Sequence, residues 1–229
     1  MKNKLVCILF SAVVFPVTAS ATSLTAGLIE RAGFALGDVE GRSYDGPGHN
    51  PFPALLPYTD GKFYQLPSFS SGASGVSLDW LLGPEVAGSA SSNELAVFSG
   101  GGSQTFIHGS NAAGDSGSLA LAANETFGFR LDGPEGSLFS QDSLNPLGAA
   151  QFVVLRMNQA GSASVLGHIM NWEADDIFLM IEDLPLPRSD QDWNDMVVRM
   201  HEVPEPSTIL LLSAGLFGAG MRRRSRALS

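Results

Sequence analysis

Residues 175–200 read DDIFLMIEDLPLPRSDQDWNDMVVRM, two strand-length apolar runs separated by an acidic connection that contains prolines. The run 177–181 predicts a buried strand, and the run that begins at residue 196 predicts a second one. Pro185 and Pro187 keep the connection extended and prevent a helix there. We therefore expect the two strands to pair as a hairpin or to lie in facing sheets, with the acidic residues gathered at one end.

Short apolar runs of the same kind continue upstream through most of the chain. Gly, Ser, Asn and Pro separate them, and helical periodicity is confined to residues 24–34. The predicted strands are 77–82, 94–98, 104–108, 118–122, 126–131, 150–157, 176–181 and 196–201. This pattern predicts a single all-β domain over residues 22–203, an antiparallel β-sandwich or jelly roll. Residues 41–74, rich in Gly, Pro and aromatic residues, predict a long loop within it.

The first 21 residues have the three parts of a secretory signal peptide. Lys2 and Lys4 precede an apolar run over 5–17, and Ala19-Ser20-Ala21 supplies small residues for cleavage. The apolar run is shorter than the ~20 residues that a spanning helix needs. We therefore predict a cleaved signal helix over residues 1–21 and an exported domain.

The last 26 residues also have three parts. A Pro-Glu-Pro-Ser-Thr stretch precedes an apolar segment over 209–221, and a basic end follows it. The residues that define this pattern are Pro204, Glu205, Pro206, Arg222, Arg223 and Arg224. The pattern resembles the PEP-CTERM sorting signal of Gram-negative bacteria. The resemblance implies cleavage near the Pro-Glu-Pro by an exosortase, a membrane cysteine protease, after transient inner-membrane insertion of the hydrophobic sorting helix. An ordinary tail anchor is the alternative.

The exported part of the chain is strongly acidic and has no cysteine. Two of the 13 basic residues lie in the signal peptide and four in the basic tail, which leaves seven against 23 acidic residues, a formal charge of −16. Such a balance argues against nucleic acid or an anionic membrane as a partner, since both require a basic face. Cys7 is removed with the signal peptide, so neither a disulfide nor thiol chemistry is expected.

The acidic connection between the last two strands is a candidate calcium site. Carboxylate and amide oxygens at alternating positions can converge on Ca²⁺, which takes six to eight oxygen ligands. The candidate ligands are Glu182, Asp183, Asp190, Asp192, Asn194 and Asp195. Their spacing is not that of an EF-hand. The alternative is that these side chains cap turns and face water, as Asp and Asn often do.

The same connection resembles the closing motif of a family of bacterial extracellular domains of unknown function. The resemblance covers roughly residues 124–201, and it depends on Glu182-Asp183-Leu184 followed by Asp190-x-Asp192-Trp193-Asn194-Asp195. Residues 126–131 and 140–145 resemble middle strands of that family. Pro185-Leu186-Pro187-Arg188 replaces its common Gly-Gly turn. The resemblance implies an all-β secreted module without an established reaction.

We predict no catalytic residue and expect a non-enzymatic surface or extracellular-matrix protein, handled by the secretion machinery and associated with exopolysaccharide or biofilm material. Four single histidines lack zinc-site spacing. Aromatic side chains at Tyr44, Tyr58 and Tyr64 are a possible platform for sugar rings, although large rings more often fill a core. The alternative is a secreted carbohydrate-active enzyme, in which a pair of carboxylates acts on a glycosidic bond.

Overall fold

A computed structural model describes residues 24–31, 50–72, 75–87, 90–185, 188–189 and 191–203. The predicted signal peptide and the sorting signal from Pro204 onwards lie outside these residues. Within them, the structure finds no helix long and apolar enough to cross a membrane.

The described residues form an almost purely β structure. The only α-helix in them, α1, is Phe52–Leu55, and 3₁₀ turns occupy Leu24–Gly27, Leu56–Tyr58, Ala90–Ser92, Asp142–Leu144 and Pro146–Gly148. The strands are β1 Ile29–Glu30, β2 Tyr64–Gln65, β3 Phe69–Ser70, β4 Val76–Leu82, β5 Glu94–Ser99, β6 Gly102–Ile107, β7 Ser116–Leu121, β8 Thr126–Gly133, β9 Gly136–Phe139, β10 Phe152–Arg156, β11 Gly161–Val165, β12 His168–Trp172, β13 Ile177–Ile181 and β14 Met196–Val203.

The strands are arranged in two main sheets and one hairpin, and neighbouring strands are antiparallel throughout. One sheet has the order β1-β2-β10-β13-β14-β4-β7. The other has the order β3-β8-β5-β6. On the edge of β8 that faces away from β5, β3 pairs with the beginning of β8 and β9 pairs with its end, over residues 130–133. Strands β11 and β12 form the separate hairpin. Of the two arrangements expected for the last two strands, the structure shows the paired one, with Ile177 opposite Met200 and Ile181 opposite Met196.

Apolar side chains cover both faces of the seven-stranded sheet. The inner core lies between the two main sheets and includes Leu78, Phe129, Val154, Leu179 and Val198. The outer core lies on the opposite face, where α1 and the β11–β12 hairpin cover the sheet, and it includes Phe52, Val153, Trp172, Met180 and Val197. Because both faces are covered, all five residues of β13 are buried. The predicted antiparallel sandwich is confirmed, with a third layer added to it.

Two local predictions differ from the structure. The helix predicted over residues 24–34 is wrong in its described part, which forms a 3₁₀ turn and the short strand β1. Glycine disfavours a helix by about 1 kcal/mol relative to alanine, and Gly27 lies in the middle of this segment. Here Gly27 allows a close approach to the neighbouring chain, since a Cβ atom on it would lie 2.6 Å from the carbonyl oxygen of Ser68. Residues 50–72, predicted as loop, contribute α1, β2 and β3, and they bury Phe52, Leu55 and Leu66.

Candidate functional site

Acidic and amide side chains meet at the end of the seven-stranded sheet where β13 ends and β14 begins. Glu182 follows β13 directly, and its backbone N–H donates to the carbonyl oxygen of Gln151, 3.0 Å away, just before β10. On the other side of β14, Val86 N–H donates to Asn194 O over 3.3 Å, which places the residues after β4 beside the same end. We call this region the acidic end; its residues are Glu85, Asn93, Gln151, Glu182, Asp183, Asp192, Asn194 and Asp195.

Most of these side chains are buried. Glu182 is fully buried, and only 1% of Asp192 and 6% of Asp183 is exposed. One carboxylate oxygen of Glu182 accepts a hydrogen bond from Trp193 N–H over 2.5 Å, and the other accepts one from the Ser189 hydroxyl. The carboxylates therefore bind backbone and hydroxyl donors, as turn-capping residues do, but they do not face water.

The loop that carries Asp192 and Asn194 is tightly wound. Gln191 and Trp193 have φ values of 63° and 51°, so left-handed residues lie on both sides of Asp192. The side-chain amide of Asn194 donates to Asp192 Oδ2 over 2.6 Å. Trp193 is 3% exposed, belongs to the outer core and donates its indole N–H to Ala150 O over 3.3 Å. The packed indole fixes the position of the loop against the sheet.

Burial and mutual repulsion perturb two carboxyl groups of the acidic end. Burial raises the pKa of Asp195 to about 8, and the charges of Glu182, Asp183 and Asp192 act in the same direction, although a hydrogen bond from Asp183 N–H opposes them. Burial also raises the pKa of Glu85 to about 7, with a contribution from Asp183. The carboxylates are thus close enough to oppose one another's ionisation.

Two amide side chains complete the region, and sequence reasoning missed both of them. Asn93 is fully buried and donates its side-chain N–H to Asp183 Oδ2 over 3.0 Å. Gln151 is 1% exposed. The side-chain oxygens of both residues lack a hydrogen-bond donor among the described residues, as does Oε1 of Glu85. The sequence signal was weak, because Glu85, Asn93 and Gln151 lie outside the hairpin and just outside other strands. Gln151 and Glu85 reach the hairpin through strands that pair in the same sheet, whereas Asn93 comes from the other sheet and reaches it through its bond to Asp183.

Five of the six predicted calcium ligands lie together at the acidic end, and Asp190 lies outside the described residues. Within the described ranges, no three His, Cys, Asp or Glu side chains are arranged so that they could hold a metal ion. Calcium binding therefore stays a prediction. The carboxylate and amide oxygens fit a hard cation in chemical type, and the unpaired oxygens of Gln151 and Asn93 are acceptors that a cation could satisfy.

The predicted tyrosine platform is divided between different parts of the fold. The ring of Tyr58 packs edge-on against Trp172 in the outer core, with centroids 4.9 Å apart. Tyr64 packs against the inner core, and its hydroxyl donates to Asp60 over 2.5 Å. Burial and this bond raise its pKa to about 12. Tyr44 lies outside the described residues. Tyr58 and Tyr64 do not share one surface, and sugar binding by these residues stays a prediction.

The other end of β14 leads to the C-terminal tail. Glu202 and Val203 pair with Leu78 and Ser77 of β4, and the Glu202 carboxylate accepts a hydrogen bond from Leu24 N–H over 2.7 Å. The beginning and the end of the described chain are therefore adjacent. Both lie at the end of the sheet opposite to the acidic end.

Residues 202–224 match the family model of the PEP-CTERM protein-sorting motif. The chain carries a PEP-CTERM sorting motif. This match confirms the sorting signal predicted from Pro204, Glu205, Pro206 and the basic tail. The motif marks an exported protein of Gram-negative bacteria that is targeted to an exosortase. Export proceeds through a membrane-anchored precursor. No curated protein sequence matches the chain. The resemblance of residues 124–201 to an extracellular family stays a prediction.

Proposed function

We propose that the mature protein is a non-enzymatic component of the cell surface or extracellular matrix, associated with exopolysaccharide or biofilm material. The PEP-CTERM motif supports the proposal, because it begins at Glu202 within the last strand of a folded sandwich. An exosortase that cuts near Pro204 would release or attach the complete domain. The tail then serves for sorting, and the sandwich is the part that acts outside the cell.

The position of the tail supports a surface role. Strand β14 has eight residues, which span roughly 25 Å at ~3.3 Å per residue. The tail leaves from the Val203 end of this strand, and the acidic end lies at its Met196 end. While the precursor is held through its tail, the acidic end is therefore the part of the sandwich farther from the attachment point.

One observation favours the alternative, a carbohydrate-active enzyme. The pKa of Asp195 is raised to about 8, so this carboxyl is protonated at neutral pH beside other carboxylates, as a glycosidase acid must be. However, Glu182 is fully buried and is held by Trp193 N–H and Ser189. A polysaccharide chain cannot reach that carboxylate in this conformation. The non-enzymatic role is therefore the better explanation of the geometry.

A polysaccharide panel separates the two functions. The purified protein is incubated with extracellular polysaccharide from the cells that produce it and with unrelated polymers. Retention on the native polymer without new reducing ends supports the matrix role. Products that disappear in the Asp195→Asn variant would support the enzyme instead, and neither retention nor products would contradict both.

A second experiment tests the sorting step in the producing cells. The full chain is expressed with and without an active exosortase, beside a variant that carries Pro204→Ala, Glu205→Ala and Pro206→Ala. We expect the wild-type protein in the matrix fraction only when the exosortase is active, and the variant to stay with the membranes. Equal amounts in the matrix fraction under all three conditions would contradict exosortase-dependent delivery.

A further inference from the structure

A cleft opens between the two main sheets, beside their edge strands β6 and β7. It has a volume of about 300 Å³ and is bordered by residues of β5, β6 and β7 and by the turn that leads into β8. This volume lies at the lower limit of the ~300–1,000 Å³ that small-molecule sites occupy. The cleft therefore has room for a small ligand or for one unit of a polymer.

The floor of the cleft is apolar and comes from both sheets. Val97 on β5, Leu121 on β7 and Phe127 on β8 line it, and all three belong to the inner core. Their exposed fractions are 2%, 7% and 6%, so only the edge of each side chain reaches the cleft. Such a floor favours a ligand that has an apolar face to bury.

The carboxylate of Glu125 is held at the rim of the cleft. The backbone of Glu125 is bound to Ser71, because its N–H donates to the Ser71 hydroxyl over 3.1 Å and its carbonyl oxygen accepts Ser71 N–H over 3.0 Å. The Ser99 hydroxyl donates to Glu125 Oε2 over 2.9 Å. Among the described residues, no group donates to the other oxygen, Oε1. The carboxylate is therefore fixed in position and keeps one oxygen as an acceptor for a ligand.

Gly101 leaves this carboxylate uncovered. A Cβ atom at this position would lie 3.9 Å from each carboxylate oxygen of Glu125 and 3.6 Å from Ser99 Oγ. These are ordinary contact distances, so a larger residue would fit here but would place its side chain against the carboxylate. The next residue, Gly102, also lines the cleft without a side chain. The two glycines keep the approach to Glu125 open.

The charge of the lining indicates which ligands fit. Glu125 is the only charged side chain among the described residues that line the cleft, and the other polar side chains, such as Ser99 and Gln104, are uncharged. A carboxylate accepts hydrogen bonds from hydroxyl groups and repels anions. The cleft therefore fits an uncharged molecule that carries hydroxyl groups beside an apolar face of C–H groups. A sugar ring combines these two features, whereas a uronic acid or a sulfated or phosphorylated sugar adds a negative charge that Glu125 would repel.

We propose that the cleft binds one uncharged sugar residue of a polysaccharide. Glu125 Oε1 accepts hydrogen bonds from hydroxyl groups of the sugar, and Val97, Leu121 and Phe127 pack against the ring. Glu125 acts in binding only, and no bond of the sugar is broken. The proposed function supplies the source of the sugar, the extracellular polysaccharide, whereas the site itself depends on the geometry of the cleft.

The test is saturation-transfer-difference NMR of the full chain, purified in detergent. The uncharged probes are glucose, galactose, mannose and N-acetylglucosamine, and the charged probe is glucuronic acid. A short basic peptide is included, because an extended peptide could also approach the edge strands. We expect at least one uncharged sugar to bind with a Kd on the order of 1 mM. Glucuronic acid should bind at least about tenfold more weakly, since its carboxylate meets that of Glu125.

Two variants assign the binding to the cleft. Glu125→Gln keeps the shape of the side chain and removes its charge, and we expect it to weaken sugar binding about tenfold. Gly101→Val places a side chain against the carboxylate and should abolish binding. The matched control is Gly100→Val, because a Cβ atom on Gly100 would meet no other atom within 4 Å. Glu173→Gln, which changes an exposed acid outside the cleft, controls for charge. Both controls should bind the sugar as the wild type does.

Three results would overturn the proposal. They are the absence of binding of every uncharged sugar, unchanged sugar binding in both cleft variants, and tighter binding of glucuronic acid or of the peptide than of any uncharged sugar. If Gly101→Val fails to fold, as judged by near-ultraviolet circular dichroism, Glu125→Gln decides the outcome, because glutamine keeps the shape of glutamate.

Retention on the native polysaccharide separates this proposal from the matrix role. A wild-type protein that binds a sugar in the cleft but is not retained on the polymer contradicts the matrix role and supports the cleft. A wild-type protein that is retained on the polymer but binds no uncharged sugar contradicts the cleft and supports the matrix role.

Discussion

Replacement of Asp195 by asparagine should stabilise the metal-free protein at neutral pH. The pKa of Asp195 is raised from 3.8 to about 8 in the folded protein. In the unfolded chain this carboxyl ionises near 3.8, so between the two pKa values the folded state holds a proton that the unfolded state has lost. The free energy of unfolding therefore falls as the pH rises through this window, and it recovers when the pH falls below the unfolded pKa.

The structure gives the magnitude of this effect. From pH 3.8 to pH 7 is about three pH units, and each unit corresponds to ~1.36 kcal/mol, so Asp195 lowers the free energy of unfolding at pH 7 by on the order of 4 kcal/mol. Asparagine cannot ionise, but its side-chain oxygen can still accept Asp183 N–H. We expect Asp195→Asn to be about 2–4 kcal/mol more stable than the wild type at pH 7.5, and the two to converge at pH 4.

Urea unfolding, followed by tryptophan fluorescence, measures the difference. Both proteins are first passed over a chelating resin, and unfolding is recorded at pH 4 and pH 7.5. Glu85 also titrates in this range, but it is present in both proteins, so its contribution cancels in the comparison. Glu173→Gln is the control for a general charge effect. A stability difference that is the same at both pH values would refute the reasoning.

Three further comparisons test the packing of the fold by urea unfolding. Phe129→Ala, in the fully buried centre of the inner core, should cost about 3–5 kcal/mol, whereas Leu147→Ala, 86% exposed, should change stability by under ~0.5 kcal/mol; similar effects would contradict the assignment of the core. Gly61 and Gly75 both have positive φ, so replacement of either by alanine should lower the free energy of unfolding, by ~1 kcal/mol at Gly61. Gly75→Ala should lower it further, because a Cβ atom there would lie 2.6 Å from a backbone oxygen; equal losses would exclude that contact. Arg31→Ala breaks a largely buried ion pair with Asp142 and should lower the free energy of unfolding by about 2–3 kcal/mol. Lys62→Ala breaks an exposed ion pair and should lower it by under ~0.5 kcal/mol. The reverse order would contradict the burial described.

The sequence predicted the sandwich because its long strands have strong local patterns. Strand β13 is a continuous apolar run, and β4 alternates between buried and half-buried residues, so both were found within one or two residues of their ends. Strands β11 and β12 were missed because GSASV and HIMNW carry small and polar residues on an outer layer. The strands β1, β2 and β3 have two residues each, too few to show an alternation of apolar and polar side chains. Only their pairing with other strands in the folded protein makes them strands.

The acidic end was predicted only in the part that is local in sequence. Glu182, Asp183, Asp192, Asn194 and Asp195 follow from one hairpin. Their burial did not follow, because it depends on Trp193 packing against the outer core and on neighbouring strands that cover the carboxylates. Glu85, Gln151 and Asn93 lie after β4, before β10 and before β5, and they could not be assigned to this region without the arrangement of the strands in space.

The role of the protein outside the cell depends on delivery of the folded sandwich without its tail. The most direct test is mass spectrometry of the C-terminal peptide of the protein isolated from the extracellular matrix of the producing cells. We predict a chain that ends near Pro204–Pro206 in the matrix, and a full-length chain confined to the membranes when the exosortase is inactivated. A full-length chain in the matrix, or the same distribution with and without the exosortase, would contradict the account.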